Sequence, residues 1–256
     1  METGNNFFDP TYIHKYNLSV FLTKDGFSFI VSDENGNYLL KKNIQIKNSS
    51  DNSLTDQYLS IIEDNNILKE NFKKKKIIFC TDKFTFIPKE FFDPGDIAEY
   101  YNFNIGELEE NHSPYYVQSS VSNLFTVFSF NKDVVGFLEK NFTDAEFTAS
   151  ISNFIDLVSD DAVVIGNAVF AHKRKDILEI VIYKNNKFFA ANSFNVKSEK
   201  DTVYFLLSAF NNYDLDGNFV PLSVSGDVNV KSEEFNLLSK YISNLVVSNE
   251  DNKWYL

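Results

Sequence analysis

Leu18-Ser-Val-Phe-Leu-Thr-Lys-Asp-Gly-Phe-Ser-Phe-Ile-Val-Ser-Asp-Glu-Asn-Gly-Asn-Tyr-Leu-Leu-Lys-Lys-Asn-Ile-Gln-Ile46 sets the pattern for the whole chain. Leu18, Val20 and Leu22 share one face of an alternating run that ends at Thr23. Lys24-Asp25-Gly26 is a turn signal, and Phe27 to Asp33 resumes the period of two. Glu34-Asn-Gly-Asn37 turns again, and Tyr38 to Ile46 is a third strand. Short alternating runs separated by turn residues predict an antiparallel meander. Beyond the polar Asn48–Ser53, apolar residues return at helical spacing as Leu54, Tyr58, Ile61 and Ile62. Lys75-Lys-Ile-Ile-Phe-Cys80 then reads as a buried strand, so the order is β-β-β-α-β.

The same order returns later. Ala168-Val-Phe-Ala171 reads as a strand running into a basic hairpin turn, His172-Lys-Arg-Lys175. Ile177–Tyr183 and Phe188–Phe194 are strands joined by the turn Lys184–Lys187. Ser198 and Asp201 make a capping-box-like start for a helix carrying Val203, Leu206, Leu207 and Phe210. Pro221–Ser225 is a strand closed by Gly226. A helix with Phe235, Leu238 and Tyr241 and a strand at Leu245–Ser248 follow. Thr55–Ser60 and Lys200–Phe205 hold equivalent places, although the repeat is one of order rather than of letters. Between the repeats lie a loose alternation at Phe84, Phe86 and Ile87, a turn at Phe91–Gly95 that opens a short helix, and a polar loop at Glu107–Ser113. Strands at Tyr115–Val121 and Leu124–Phe130 come next. Asn131 is placed to cap a helix bearing Val134, Val135 and Leu138. A strand at Phe147 and a helix with Ile151, Phe154, Ile155 and Val158 close the first half.

The expected fold is therefore α/β. Three antiparallel strands extended by parallel strands through helices make a ribonuclease-H-like half. Two such halves in tandem give the actin-like ATPase architecture. The division falls near Asp160, giving 1–160 and 161–256, with an inserted, irregular region around 84–116 in the first half.

Composition narrows the function classes. Lys+Arg is 24 and Asp+Glu is 36, a net charge of −12 over 256 residues. That average field disfavours nucleic acid as a partner. A single cysteine, Cys80, excludes an internal disulfide framework or a cysteine-built zinc site. Arg174 is the only arginine, so bidentate guanidinium clamps on phosphate are nearly out of reach. The aromatic share of 16 %, with 27 Phe, reads as codon bias rather than function. No stretch has the ~18 consecutive apolar residues of a membrane span, and Met1–Pro10 has no signal-peptide pattern. A cytoplasmic protein is the expectation.

The order of elements resembles the actin-like ATPase superfamily, and within it the pilus-assembly type. Leu124-Phe-Thr-Val-Phe-Ser-Phe130 followed by Asn131-Lys-Asp-Val-Val135 is similar to the strand and helix that complete the first half there. Val220-Pro-Leu-Ser-Val-Ser-Gly-Asp227 is similar to the strand that ends in that group's glycine pair. The whole chain, above all Phe84-Thr-Phe-Ile-Pro-Lys-Glu-Phe-Phe92, also resembles the bacterial family called domain of unknown function 3822, itself described as actin-like in fold. The resemblance implies a nucleotide site in the cleft between the halves. An Asp on the first strand of each half would position Mg²⁺ or water, and a glycine-rich hairpin would hold the phosphates.

The residues depart from that pattern at three places. Leu18–Thr23 has no Asp and no Gly, and Asp25-Gly26 reads as a plain turn tip. Ala168–Ala171 lacks both as well. At the nucleoside end, Ser225-Gly226-Asp227 keeps one glycine and puts an Asp in place of the other. The leading expectation is a pseudo-ATPase with no cofactor, acting as a scaffold for a protein partner or as a homodimer. The alternative is a divergent ATP binder with Mg²⁺, using Lys24 and Asp25, His172, Lys173, Arg174 and Lys175, and Gly226 with Asp227. Another small anion in the same cleft is the third reading.

Other constellations carry less. Asp56, Glu63 and Asp82 lack the first-strand Asp that a two-metal nuclease needs. Asp33–Asn37 and Asp214–Asn218 fail the calcium-loop positions and read as turns. Cys80 reads as a structural core residue, and His14, His112 and His172 show no metal spacing. Lys73–Lys76 reads as a solvated helix end. Phe84–Phe92 is richer in apolar residues than one strand needs, so it either packs between the halves or forms a partner surface.

Overall fold

A computed structural model of the chain describes residues 8–23, 26–46, 54–120, 122–229 and 231–247. The chain divides into two compact units. Of the described residues, the first takes those up to Ser119 and Asn123–Asn153, and the second takes Ser120, Ser122 and those from Phe154 to Val247.

In the first unit β1 (Asn17–Thr23), β2 (Gly26–Ser32) and β3 (Tyr38–Gln45) form the meander. α1 (Leu54–Asp64) crosses over to β4 (Lys74–Phe79). β1 lies antiparallel to β2, with Val20 opposite Phe29, and parallel to β4, with Val20 beside Ile77. Every residue from Leu18 to Leu22 is buried, Ser19 included. The sequence pattern put only one face inside. A strand flanked on both sides in a crossover sheet is covered on both faces, so Phe21 is buried with Val20. α1 buries Tyr58, Ile61 and Ile62, and the Tyr58 ring lies 5.8 Å from Phe27.

β5 (Phe84–Pro88), α2 (Ile97–Asn104), β6 (His112–Gln118) and β7 (Leu124–Asn131) build a separate small sheet of order β5-β7-β6. Ile87, Tyr101 and Val127 are its core. The Ser129 hydroxyl donates to the Tyr101 hydroxyl at 2.8 Å. Phe84–Phe92 thus belongs to an edge strand and its exit. Ile87 is buried, Phe92 stacks on Phe125 with centroids 3.8 Å apart, and Phe91 is exposed. Asn131 caps α3 (Lys132–Asn141) by accepting from the Asp133 and Val134 amides. β8 (Glu146–Ala149) then joins β4 in parallel, giving the sheet order β3-β2-β1-β4-β8. Phe79 on β4 sits among Phe128, Phe130 and Phe147, with ring centroids 5.7, 4.7 and 6.1 Å away. The boundary between the units falls within α4 (Ser150–Ile165).

The second unit holds β9 (Ala168–Arg174), β10 (Ile177–Lys184), β11 (Lys187–Asn195), α5 (Glu199–Asn212), β12 (Leu222–Gly226), α6 (Glu233–Tyr241) and β13 (Leu245–Val247). Its order is β11-β10-β9-β12-β13, the same sequence of antiparallel and parallel neighbours as in the first unit's five-stranded sheet. Ser198 and Asp201 close a complete capping box at the start of α5, as their spacing predicts. Hydrogen bonds from backbone amides, led by that of Lys197, hold the Asp201 carboxyl below its ordinary range. Val169, Ala171, Leu178, Ile180, Leu206, Phe210, Leu222 and Leu238 are core residues of this unit. Among the described residues no helix is long and apolar enough to cross a membrane.

Tyr183 on β10 is buried, with its hydroxyl 3.3 Å from the Ile155 carbonyl. Burial, followed by the charges of Asp156 and Asp160, pushes its pKa up to about 12. An unfolded tyrosine ionises near ~10. The folded state therefore keeps a proton that the unfolded state loses, and stability falls as pH rises from ~10 towards 12. Tyr183→Phe is expected to flatten that alkaline loss. Melting midpoints from pH 9 to 12 with the same slope in both proteins would refute this.

Candidate functional site

The strand ends of the second unit bring most of the candidate residues together. β9 and β12 are parallel neighbours, with Ser225 beside His172 and Gly226 beside Lys173. His172–Lys175 is not a solvated basic turn. His172 and Lys173 are buried residues of β9 at 3 % and 8 % exposure, and only Lys175 stands at the turn, with φ of 49°. β9 is the central strand, so its polar end is covered by β10 and β12 as its apolar start is.

Each group there has a partner from the same chain. His172 Nδ1 lies 2.9 Å from Ser225 Oγ, which itself donates to the Ala171 carbonyl at 3.2 Å. Lys173 Nζ donates to Glu199 Oε1 at 2.7 Å, in the first turn of α5. The Lys175 amide donates to the Asp227 carboxylate at 2.9 Å, and the Asp227 amide to the Lys173 carbonyl at 2.8 Å. Gly226 has φ of 86°, and a Cβ there would stand 2.0 Å from the Lys173 carbonyl oxygen. Its glycine is required by β9, which approaches too closely for any side chain. Lys24 and Asp25 lie outside the described residues.

A second group of polar residues converges in the first unit. Thr23 ends β1, Cys80 and Thr81 follow β4, and Lys83, Glu109 and His112 close a pocket of about 120 Å³ beside them. These are the carboxyl ends of parallel strands, where α/β sheets place ligands. The Glu109 carboxylate takes a hydrogen bond from Lys83 and holds that ammonium above its ordinary range. His112 Nδ1 is 3.9 Å from the same carboxylate. Cys80 is buried. The pocket offers a neutralised ion pair rather than an open anion or cation site. Sequence reading left these residues apart, because the local pattern around each is ordinary and only the small sheet carries Glu109 and His112 to the β1 and β4 ends.

The remaining candidates resolve plainly. Asp33 accepts from the Asn35 and Asn37 amides, and Asp216 from the Asn218 amide, so both calcium-like segments are carboxylate-capped turns. Among the described residues no three His, Cys, Asp or Glu side chains could hold a metal ion together. Lys73–Lys76 is not a helix end. Lys74–Lys76 begin β4, Lys73 pairs with Glu34 and Lys75 with Asp144.

Comparison with known proteins adds the family. A crystal structure from Bacteroides thetaiotaomicron, of a protein with actin-like ATPase fold and unknown function, is similar with a TM-score of 0.79. It is 23 % identical, over 96 % of this chain and 96 % of that one. The PilM-PilN type IV pilus biogenesis complex is similar at a TM-score of 0.50 and 10 % identity, over 91 % of this chain and 88 % of that one. These likenesses establish an actin-like ATPase fold. No curated protein matches the chain in sequence. A family model described as "Protein of unknown function (DUF3822)" matches residues 5–245, and the chain belongs to that family.

Proposed function

We propose that the chain is a cytoplasmic, catalytically silent protein of actin-like ATPase fold that works by holding another protein. The observation that carries the reading is the filled hairpin of the second unit. The Lys175 amide, which a phosphate would need, already donates to the Asp227 carboxylate at 2.9 Å, and Lys173 Nζ donates to Glu199 at 2.7 Å. An incoming phosphate would have to displace one carboxylate and approach another, at a cost that grows with burial. The absence of Asp and Gly from Leu18–Thr23 and from Ala168–Ala171 supports the same reading. A protein partner is favoured by analogy with a similar structure determined as a complex, PilM-PilN. The shared strand order of the two units supports an internal duplication with halves dividing near Asp160.

The test is thermal melting with and without millimolar Mg-ATP, ADP and GTP. A ligand at 100 times its dissociation constant stabilises by ~2.7 kcal/mol, which is readily seen. The expected result is no shift with any of the three. A shift with Mg-ATP that Asp227→Lys removes would replace this reading with that of a divergent nucleotide binder.

A further inference from the structure

A cleft of about 420 Å³ lies in the second unit, between the edge strand β11 and the second half of α5. Ile180 and Ile182 of β10 give it an apolar floor, and the small side chains of Ala190 on β11 and Ala209 on α5 leave the room. Phe194 of the strand and Phe205 of the helix stack across it with centroids 4.3 Å apart. Tyr213 lines it too, ~12 Å further along the α5 axis than Phe205. Aromatic rings thus stand towards both ends.

None of the residues lining the cleft is charged, although β10, β11 and α5 carry Glu179, Lys184, Lys187, Glu199, Lys200 and Asp201 between them. Lys184 is committed elsewhere: its ammonium donates to the Tyr213 carbonyl and lies 4.5 Å from the centre of the Phe189 ring. The polar groups of the cleft are amides and hydroxyls, and they occupy both walls. Asn192 lines it from the strand, and Ser208, Asn211 and Asn212 from the helix. The side chains of Ser208, Asn211 and Asn212 have no hydrogen-bond partner among the described residues. Asn192 uses its oxygen to accept from the Ser193 amide at 2.8 Å, which leaves its NH₂ to donate.

This lining selects a ligand. A phosphate, carboxylate or ammonium group would give up its hydration here and meet no opposite charge. A wholly apolar ligand would strip water from the amides and leave them unpaired. Amides and hydroxyls both donate and accept, and so match neighbouring hydroxyls that do the same. The negative face of an aromatic ring attracts the C–H groups on the face of a saturated ring. A sugar combines the two, with hydroxyls around its rim and C–H groups on its face. A nucleobase instead carries its polar atoms along an edge, whereas these stand on two walls. The volume falls within the ~300–1,000 Å³ of small-molecule sites, enough for a sugar of one or two rings. The place is also separate from the hairpin weighed above for phosphate. Ile182 pairs with Val169 at the start of β9, and Gly226 with Lys173 near its end, ~13 Å along the strand.

We propose that the β11–α5 cleft binds a neutral carbohydrate, with its hydroxyls on Asn192, Ser208, Asn211 and Asn212 and a ring face against the aromatic side chains. The experiment is saturation-transfer NMR on the full chain with glucose, galactose, mannose, N-acetylglucosamine, maltose, cellobiose and lactose. Adenosine, gluconate and glucose 6-phosphate serve as controls. At least one neutral sugar is expected to bind, and more tightly than either charged control. Asn211→Ala and Asn212→Ala each remove a hydrogen-bonding amide and are expected to weaken that sugar by about threefold to tenfold. Both residues are exposed on a helix, where Ala is the better helix former, so the variants keep their melting temperature. Ser208→Leu puts a larger side chain into the cleft and is expected to abolish the signal, with the melting temperature as the check on folding. No transfer to any neutral sugar, equal or tighter binding of a charged control, or binding of adenosine alone would overturn the proposal. So would sugar binding indifferent to all three substitutions. The outcome is independent of the melting test with Mg-ATP, which addresses the other end of β9.

Discussion

Gly226→Ala is expected to lower the stability of the second unit by about 2–5 kcal/mol. Two costs add. Left-handed backbone costs a residue with a Cβ roughly 1–2 kcal/mol, and Gly226 has φ of 86°. Forcing a methyl into filled space costs about 1–3 kcal/mol more. Here the new Cβ would stand 2.0 Å from the Lys173 carbonyl oxygen and 2.9 Å from His172 Cε1. One of these atoms is backbone of a central strand, so it cannot swing away as a surface side chain would. Relief requires β9 and β12 to part, which breaks the bond from the Asp227 amide to Lys173 and strains that between His172 and Ser225. Urea denaturation checks the result. A loss below ~1 kcal/mol would mean that the close approach at Gly226 is not how this edge is built.

Phe79→Ala is expected to cost the first unit about 3–5 kcal/mol, the usual range for a large aromatic removed from a core. Phe79 is 2 % exposed and ends β4. Its ring meets Phe128 and Phe130 from the small sheet and Phe147 from β8. Truncation therefore removes contacts to three rings and to two sheets at once, and aromatic pairs add ~0.5–1.5 kcal/mol beyond buried area. Phe79→Leu refills much of the space and is expected to cost less than half as much. Equal losses for the two variants in urea melts would show that ring contacts do not hold the small sheet to the larger one.

Much of the fold was legible because its signals are local. The meander at Leu18–Ile46 and the helix carrying Tyr58, Ile61 and Ile62 follow from periodicity within a few residues. The caps at Asn131 and at Ser198 with Asp201 follow from side chains reaching amides two or three residues away. The errors share a cause too. A run of bases is normally solvated, so the pattern predicts a turn at His172–Lys175 and a helix end at Lys73–Lys76. In the structure Lys173 is buried and Lys75 half-buried along strands, paired with Glu199 and Asp144. Those acids lie 26 and 69 positions away, and no local pattern announces such a partner.

The order of elements, the family resemblance and the missing Asp and Gly positions were all present in the residues themselves. They depend on spacing along the chain and need no knowledge of what touches what. The pairing of β5 with β7, the pocket that gathers Cys80 with Glu109 and His112, and the uncharged cleft between β11 and α5 came from tertiary packing. So did the closing of the second hairpin by Asp227, 52 positions from Lys175. Hydrophobic burial is set by area and backbone period, which a sequence displays directly. The fate of a charge is set by whichever opposite charge the fold brings within about 3 Å, and only folding determines that neighbour.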